Sequence, residues 1–288
     1  MPPAFAGSLS RAESSADFAI FIGPSRSAFQ LDLASLCAYW ELLYFLVWRD
    51  VKVRYKQTAI GIGWAIVQPL LTMVLFTAVF SGLANIPSDG IPYPVFAYTA
   101  LLPWSYFSQA LGRSVTSLVS NSNLITKIYF PRLIIPFSAV ISPLFDFAVA
   151  FVMLIGLMAW FGVRPSWGVL ALPLFVVLCL LTTLAVTLWL SALCVRYRDV
   201  GMIIPVLLQV WMYASPVAYP VSLVPEKWRL IYSVNPMVGV IEGFRWALLG
   251  SNAPDFTLMA VSTLAVLVIL YGGLVYFKKM ERIFADVV

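Results

Sequence analysis

The sequence predicts an all-α integral membrane protein with six transmembrane helices. Hydrophobic residues make up 61% of its 288 residues and charged residues 11%, whereas soluble domains are about half apolar and about a quarter charged. The mean hydropathy of +0.92 agrees with this composition. The apolar runs are continuous and do not alternate with polar residues, which favours membrane-spanning helices over a β-barrel.

The N-terminal part of the chain is predicted to precede the membrane spans. Residues 1–33 are rich in Ser and Ala, and their apolar run at 18–22 is too short for a signal peptide. We interpret them as a cytoplasmic tail, and residues 34–288 as one transmembrane domain. That domain begins with a predicted amphipathic interface helix at 34–57, which would lie in the headgroup plane. Its apolar stripe, with Glu41 off it, consists of Leu33, Leu36, Trp40, Leu43 and Val47. A plain juxtamembrane anchor is the alternative.

Six apolar stretches of span length follow. They lie at residues 60–82, 98–119, 134–161, 169–195, 200–219 and 257–277. Each is long enough to cross a hydrocarbon layer of about 30 Å at a rise of about 1.5 Å per residue. The third stretch is long, and Pro136 and Pro143 are expected to kink it or to place its first turn in the interface.

Residues 220–256, before the last span, are too apolar for an exposed loop and too interrupted for a span. Pro225, Pro236 and Gly239 break the stretch, so we predict two short re-entrant helices in the outer leaflet. Most of the 18 Lys and Arg residues fall before the first span, in every second connection and after the last span. The positive-inside rule therefore places both termini in the cytoplasm.

The residue content of the chain argues against several classes of function. The chain has no histidine, and its three cysteines have no CxxC spacing, so we predict no catalytic residue, metal site or cofactor. The net charge of +5 is assigned to basic residues beside anionic lipid rather than to nucleic-acid binding. A membrane enzyme acting on lipid-linked sugars is the alternative from another class. Its acids would come from Asp89, Glu226, Glu242 and Asp255, which are scattered in the predicted outer loops.

A short segment after the second span is a candidate docking element. In NSNLITKIYFPR, at 121–132, Asn121 or Ser122 is expected to cap a helix that Pro131 ends. The helix would expose three apolar residues beside Lys127 to a groove on a partner. These apolar residues are Leu124, Ile125 and Ile128. The alternative is an interfacial helix buried by its own protein.

Polar and aromatic residues inside the predicted spans are candidates for a substrate path, since polar side chains rarely face lipid. They are Gln68, Thr72 and Phe76 on the first span, Ser105 and Gln109 on the second, and Trp211, Tyr213 and Tyr219 at the fifth. Aromatic rings beside polar groups suit sugar rings, although rings at span ends also form interface belts. Asp146 is an intramembrane acid and thus a functional candidate. The alternatives are a proton relay and a structural pairing, for which Arg245 is preferred over Arg113.

Six motifs carry a family resemblance. They are WRDVKVRYKQTAIGIGWAIVQPL, PYPVFAYTALLPWSYFSQAL, NSNLITKIYFPRLIIP, RYRDV, SPVAYP and NPMVGVIEGFRWALLG. In this order the chain resembles, over about residues 35–280, the permease subunit of polysaccharide-export ABC transporters. Those subunits move O-antigen, capsule or teichoic-acid chains across the bacterial inner membrane.

The resemblance implies a homodimer of permeases around a central path, with two separate ATP-binding subunits that carry ATP and Mg²⁺. The chain itself lacks the GxxxxGK[ST] phosphate loop. By similarity, Ala34 to Val47 is the interface helix and Ser122 to Tyr129 the ATPase-coupling helix. Residues 228–248 then form the outer gate. The implied coupling residues are Asn121, Ser122, Leu124, Ile125, Lys127, Ile128 and Tyr129 with Arg49 and Arg54, and the gate residues are Trp228, Asn235, Glu242 and Arg245.

The implied substrate is lipid-linked polysaccharide such as O-antigen. A drug or small-lipid ABC exporter of the same broad fold is the rival within transport, because substrate pockets diverge more than architecture. A purely structural membrane protein fits less well, since polar stripes inside spans cost stability unless they line a path.

Overall fold

The computed structural model describes residues 38–56, 61–250, 255–281 and Phe284, and its regular elements in these ranges are all helices. This confirms the all-α prediction. The predicted tail at 1–33, the first residues of the predicted interface helix and its last residue, Gln57, lie outside the described residues.

Eleven α-helices occur in the described ranges. They are α1 Trp40–Tyr55, α2 Trp64–Phe76, α3 Tyr93–Ser120, α4 Ser122–Lys127, α5 Ile134–Ile141, α6 Leu144–Trp160, α7 Leu172–Arg196, α8 Asp199–Tyr213, α9 Glu226–Tyr232, α10 Pro236–Leu249 and α11 Phe256–Glu281. The turn Gly61–Gly63 leads into α2, which continues as a π-helical stretch over Thr77–Leu83. Short 3₁₀ turns lie at Trp167–Ala171 and Val221–Leu223.

Local sequence signals explain where several helices begin and end. The Asn235 side chain accepts a hydrogen bond from the Met237 backbone N–H, and Pro236 occupies the first turn of α10, a combination that favours helix initiation. The same helix ends at Gly250, whose φ of 63° is the left-handed conformation that favours glycine. The third predicted stretch is interrupted at Ser142 and Pro143, which separate α5 from α6.

Four helical segments in the described ranges are long and apolar enough to cross a membrane. They are Gly61–Leu83, Ile134–Trp160, Trp167–Arg196 and Phe256–Glu281. The apolar helix α8 is shorter, at 15 residues. Helix α3 has 28 residues and reaches about 42 Å, but it does not meet the same apolarity criterion. The structure therefore supports a multi-pass helical membrane protein, and length and apolarity alone do not establish six spans.

Helix α3 occupies the centre of the bundle. It packs against α2, α5, α6, α7, α8 and α10, and most of its side chains are buried. A larger apolar cluster surrounds α3 together with α6, α7, α8 and α10. A second cluster joins α1, α4, α5, the later part of α7 and the end of α11, and it includes Leu46, Ile125, Leu188 and Phe277.

The outer faces of the bundle carry large exposed apolar side chains, as expected where lipid is the solvent. Met202 on α8 is 81% exposed, and Leu71 on α2, Val152 on α6 and Val268 on α11 are also exposed. These side chains do not take part in the core of this chain, so they are available to lipid or to another protein.

Helix α10 lies against its neighbours through glycines. A Cβ added to Gly239 would lie 2.7 Å from the Ser262 Cβ on α11, and one added to Gly243 would lie 2.2 Å from the Phe175 ring on α7. The Gly239 backbone N–H also donates to the Ser262 hydroxyl, at 3.1 Å. Small residues therefore permit the close approach that helix packing in membranes uses.

Helix α1 packs on α5, and its buried residues are Leu46 and Val51. Of the predicted apolar stripe, Trp40 is 60% exposed and Leu43 packs against the second cluster. An exposed Trp40 is compatible with a stripe that faces lipid, so the position of this helix in the headgroup plane stays a prediction.

Candidate functional site

A buried ionic contact joins the end of α1 to the start of α6. The Arg54 guanidinium and the Tyr55 hydroxyl both donate to the Asp146 carboxylate. Arg54 also donates to the Ser142 hydroxyl, at 3.5 Å. The side chains of Arg54 and Asp146 are only 11% and 7% exposed. The contact fixes the interface helix to the turn between α5 and α6.

The predicted partnership of Asp146 with Arg245 is therefore wrong, and Arg54 is the partner. Arg245 is held elsewhere, as described next. The signal available in the sequence was the Arg54–Tyr55 pair just before the first span. Reasoning from membrane depth did not predict it, because α1 packs on α5 and so brings its C-terminal end to the start of α6.

Arg245 is buried in the candidate gate region, with 2% of its surface exposed. Its guanidinium donates to Glu242 at 3.2 Å and to the backbone carbonyls of Tyr219 and Val217 at 3.2 and 3.0 Å. It also lies 3.7 Å from the centre of the Phe96 ring, a cation–π distance. Arg245 thereby joins α10 to the SPVAYP loop and to α3.

A second set of polar contacts joins the end of α8 to the start of α10. The Trp211 indole N–H donates to the Asn235 side-chain oxygen at 2.9 Å. The Asn235 amide donates to the Ser215 hydroxyl at 3.0 Å and to the Ala214 carbonyl at 3.1 Å. The Trp211 ring also packs edge-on against Phe107, at 5.2 Å between ring centres. Trp211 and Asn235 thus hold this junction together.

The other two aromatic residues of the predicted path are placed differently. The Tyr219 hydroxyl donates to the Tyr213 carbonyl at 3.0 Å and lies 3.0 Å from the Tyr232 hydroxyl on α9. The Tyr213 ring is exposed, so of the three aromatic candidates it is the one most accessible to a ligand. Lining of a path by these rings stays a prediction.

The three predicted path residues on α2 differ in burial, from the surface to the core. Gln68 is exposed, Thr72 is half-buried and donates to the Gln68 carbonyl at 3.0 Å, and Phe76 is buried against Phe80. Only the first two therefore reach the surface of this chain. On α3, Ser105 and Gln109 are both half-buried. Their role in a path likewise stays a prediction.

The candidate coupling segment forms the short helix α4, followed by an extended Ile128. Ile128 and Tyr129 are 55% and 77% exposed, as a docking surface requires, but Ile125 is 6% exposed and belongs to the second cluster. The expectation that Ile125 is presented to a partner is wrong, because this helix rests on its own protein through that residue. Leu124 is half-buried, and Ser122 and Lys127 lie at the two ends of the helix.

Asn121 precedes α4 but does not cap it with its side chain. Its amide donates to the Ser117 carbonyl at 2.8 Å, and its side-chain oxygen accepts from Arg49 at 3.1 Å. Helix α4 also ends at Lys127, four residues before Pro131, so the proline does not terminate it directly. The contact between Arg49 and Asn121 joins α1 to the junction of α3 and α4.

The segment before the last span contains two helices, α9 and α10, as predicted. Trp228 on α9 is exposed, whereas α10 is mostly buried against α3, α7 and α11. Among the described residues, no group of three or more His, Cys, Asp or Glu side chains is arranged to hold a metal ion.

These features define a multi-pass membrane protein whose buried polar contacts join helix ends. Residues 41–249 match the ABC-2 type transporter family, and the chain belongs to that family. The match spans α1 to α10, and so includes the candidate coupling segment and both buried arginine contacts.

Similar proteins extend the match over nearly the whole chain. The O-antigen export system permease protein RfbA of Myxococcus xanthus is 32% identical over 256 residues, covering 87% of this chain and 96% of that protein. A Klebsiella pneumoniae protein of the same name is 27% identical over 252 residues, covering 86% and 95%. The polysialic acid transport protein KpsM of Escherichia coli is 24% identical over 263 residues, covering 90% and 98%. The resemblance to polysaccharide-export permeases is confirmed.

Proposed function

We propose that this chain is the membrane-spanning subunit of an ATP-driven exporter that moves lipid-linked polysaccharide, such as O-antigen, across the bacterial inner membrane. The observation that carries the proposal is the similarity, over 86% or more of the chain, to permeases named for O-antigen export and polysialic acid transport. The matched segments cover 95% or more of each of these relatives, which supports the same architecture.

The partners in this proposal are a second copy of the chain and two ATP-binding subunits. The exposed apolar faces of α2 and α8, which include Leu71 and Met202, support a contact with a second permease. The exposed Ile128 and Tyr129 support a contact with the ATP-binding subunit. ATP and Mg²⁺ belong to that subunit in this scheme.

The described contacts provide a route for coupling. A displacement of α4 by the ATP-binding subunit would act on α3 directly and on α1 through the hydrogen bond from Arg49 to Asn121. Helix α1 would in turn act on α6 through the ion pair of Arg54 with Asp146. Because both contacts are made by α1, the interface helix would move α3 and α6 together.

The proposed topology has six spans, formed by α2 with its π-helical extension, α3, α5 with α6, α7, α8 and α11. Both termini would be cytoplasmic, and α9 and α10 would enter the outer leaflet. Cysteine labelling tests this arrangement in a variant whose native cysteines are replaced. Ser88→Cys, between α2 and α3, and Asn123→Cys, on α4, should react with a membrane-impermeant maleimide from opposite sides. Labelling of both from one side would contradict six spans.

The function itself is tested by purifying the chain from its native membrane in mild detergent. The proposal expects an ATP-hydrolysing subunit at a fixed ratio, with hydrolysis that lipid-linked glycan stimulates. Stimulation by small lipids or drugs, and none by glycan, would favour the rival exporter class. A preparation without ATPase, repeated in native-lipid particles, would contradict the coupling scheme.

A further inference from the structure

A pocket of about 470 Å³ lies between α1, the later part of α3 and the end of α5. Three guanidinium groups line it, from Arg49, Arg54 and Arg113. The rest of the lining is Asp50, Val53, Ser117, Ser120, Asn121, Ala139 and Ser142. Hydroxyl, amide and guanidinium donors therefore converge on one space at the end of the bundle that carries the coupling segment.

The positive charges of this pocket exceed the negative ones. Arg49 pairs with Asp50 at 2.9 Å, and Arg54 pairs with Asp146. The Arg113 side chain makes no ion pair or hydrogen bond with any residue that the structure describes. The three arginines together with Asp50 and Asp146 therefore carry a net charge of +1.

A second observation points to a missing acceptor. The Nε atom of Arg54 is buried and has no hydrogen-bond partner among the described residues, although buried donors in folded proteins are nearly always paired. Burial and the neighbouring Arg113 guanidinium lower the pKa of Arg54 to about 10. An anion with several oxygens would offset the repulsion between these two arginines and accept their free N–H groups.

We propose that this pocket binds the phosphate or diphosphate ester of a membrane lipid. Arginine forks match phosphate oxygens in geometry and charge. The rim of the pocket is open, since Val53 and Arg113 are both exposed. Two lipids carry such a group, namely an anionic phospholipid and the carrier lipid of the exported glycan. The assignment to a carrier lipid rests on the proposed function, whereas the phosphate site does not.

The test measures lipid binding to the purified full-length chain, together with any subunits that accompany it, by native mass spectrometry and calorimetric titration. The probes are farnesyl diphosphate, farnesol and phosphatidylglycerol. Arg113→Gln should weaken binding of farnesyl diphosphate about tenfold or more, the usual effect of losing one charged hydrogen-bond partner. Arg113→Lys should weaken it less, because the charge remains. The matched control Arg164→Gln removes an exposed arginine far from the pocket in sequence and should bind as the natural chain does.

The outcomes separate the sources of the phosphate. Displacement of farnesyl diphosphate by phosphatidylglycerol at equal concentration assigns the site to a phospholipid headgroup, and resistance to displacement assigns it to a carrier diphosphate. Equal binding by Arg113→Gln and Arg164→Gln, or binding of farnesol as tight as that of its diphosphate, overturns the proposal. Because Arg113 makes no hydrogen bond or ion pair through its side chain within the described ranges, its variants should elute from gel filtration as the natural chain does.

Failure of this proposal is distinguishable from failure of the proposed function, because binding is read without transport. Phosphate-dependent binding without a co-purifying ATPase would retain the site and reject the exporter. A co-purifying ATPase with no dependence of lipid binding on Arg113 would retain the exporter and reject the site.

Discussion

The loss of one partner of the ion pair between Arg54 and Asp146 should destabilise the chain more than the replacement of both partners. Asp146→Leu leaves the Arg54 guanidinium, 11% exposed, without its carboxylate partner. Breaking a buried pair in this way costs about 3–5 kcal/mol, whereas replacing both partners by apolar residues is often close to neutral. We therefore expect Asp146→Leu to destabilise the chain by about 3 kcal/mol or more, and Arg54→Met with Asp146→Leu to recover most of that loss.

The assay is thermal unfolding in detergent, followed by tryptophan fluorescence and by retention of the monodisperse gel-filtration peak. At about 2–4 °C per kcal/mol for a chain of this size class, Asp146→Leu should lower the midpoint by roughly 10 °C. The double variant should lie within a few degrees of the natural chain. Arg164→Met, at an exposed arginine, is the control and should not shift the midpoint. A single variant that melts like this control, or a double variant no more stable than the single one, would refute the reasoning.

Three further predictions concern other parts of the bundle. Ile125→Asp should destabilise the chain by several kcal/mol, because it places a charge in the second apolar cluster. Tyr129→Asp, at an exposed position, should leave the melting midpoint unchanged and lower ATP-driven export. Arg245→Met should cost about 3–5 kcal/mol, since Glu242 and two backbone carbonyls lose their donor, and a midpoint within 2 °C of the natural chain would contradict this. Gly243→Ala should cost about 1–3 kcal/mol by overpacking against Phe175, measured by the same melting assay, and an unchanged midpoint would show that the ring moves aside.

Helix positions were largely predictable because they depend on local hydrophobic length. The third predicted stretch, at 134–161, corresponds closely to α5 and α6, and the last, at 257–277, to α11. The break between α5 and α6 at Pro143 followed from the chemistry of proline. The second stretch, at 98–119, falls within α3, which begins earlier, at Tyr93.

Side-chain partners were much less predictable than helix positions. Ile125 has the same character as Ile128 in the sequence, and only tertiary packing distinguishes the buried residue from the exposed one. The pairing of Asp146 with Arg54 depends on α1 packing on α5, a contact between segments about 90 residues apart. The three arginines of the pocket come from α1 and α3, so their convergence likewise required the packing of distant helices.

The buried helix α3 has a mechanical consequence. One end of α3, at Ser120, leads directly into α4, and this end is the cytoplasmic one in the proposed topology. At the other end, the Tyr93 hydroxyl donates to the Ala218 carbonyl at 2.7 Å. Ala218 lies in the loop to which Arg245 donates its hydrogen bonds. A rod of about 42 Å that tilts by about 5° displaces its far end by roughly 4 Å relative to its near end. In the proposed coupling scheme, α3 would act as a lever arm, through which a small rotation at the candidate coupling segment would become a shift of several ångströms at the opposite end of the bundle.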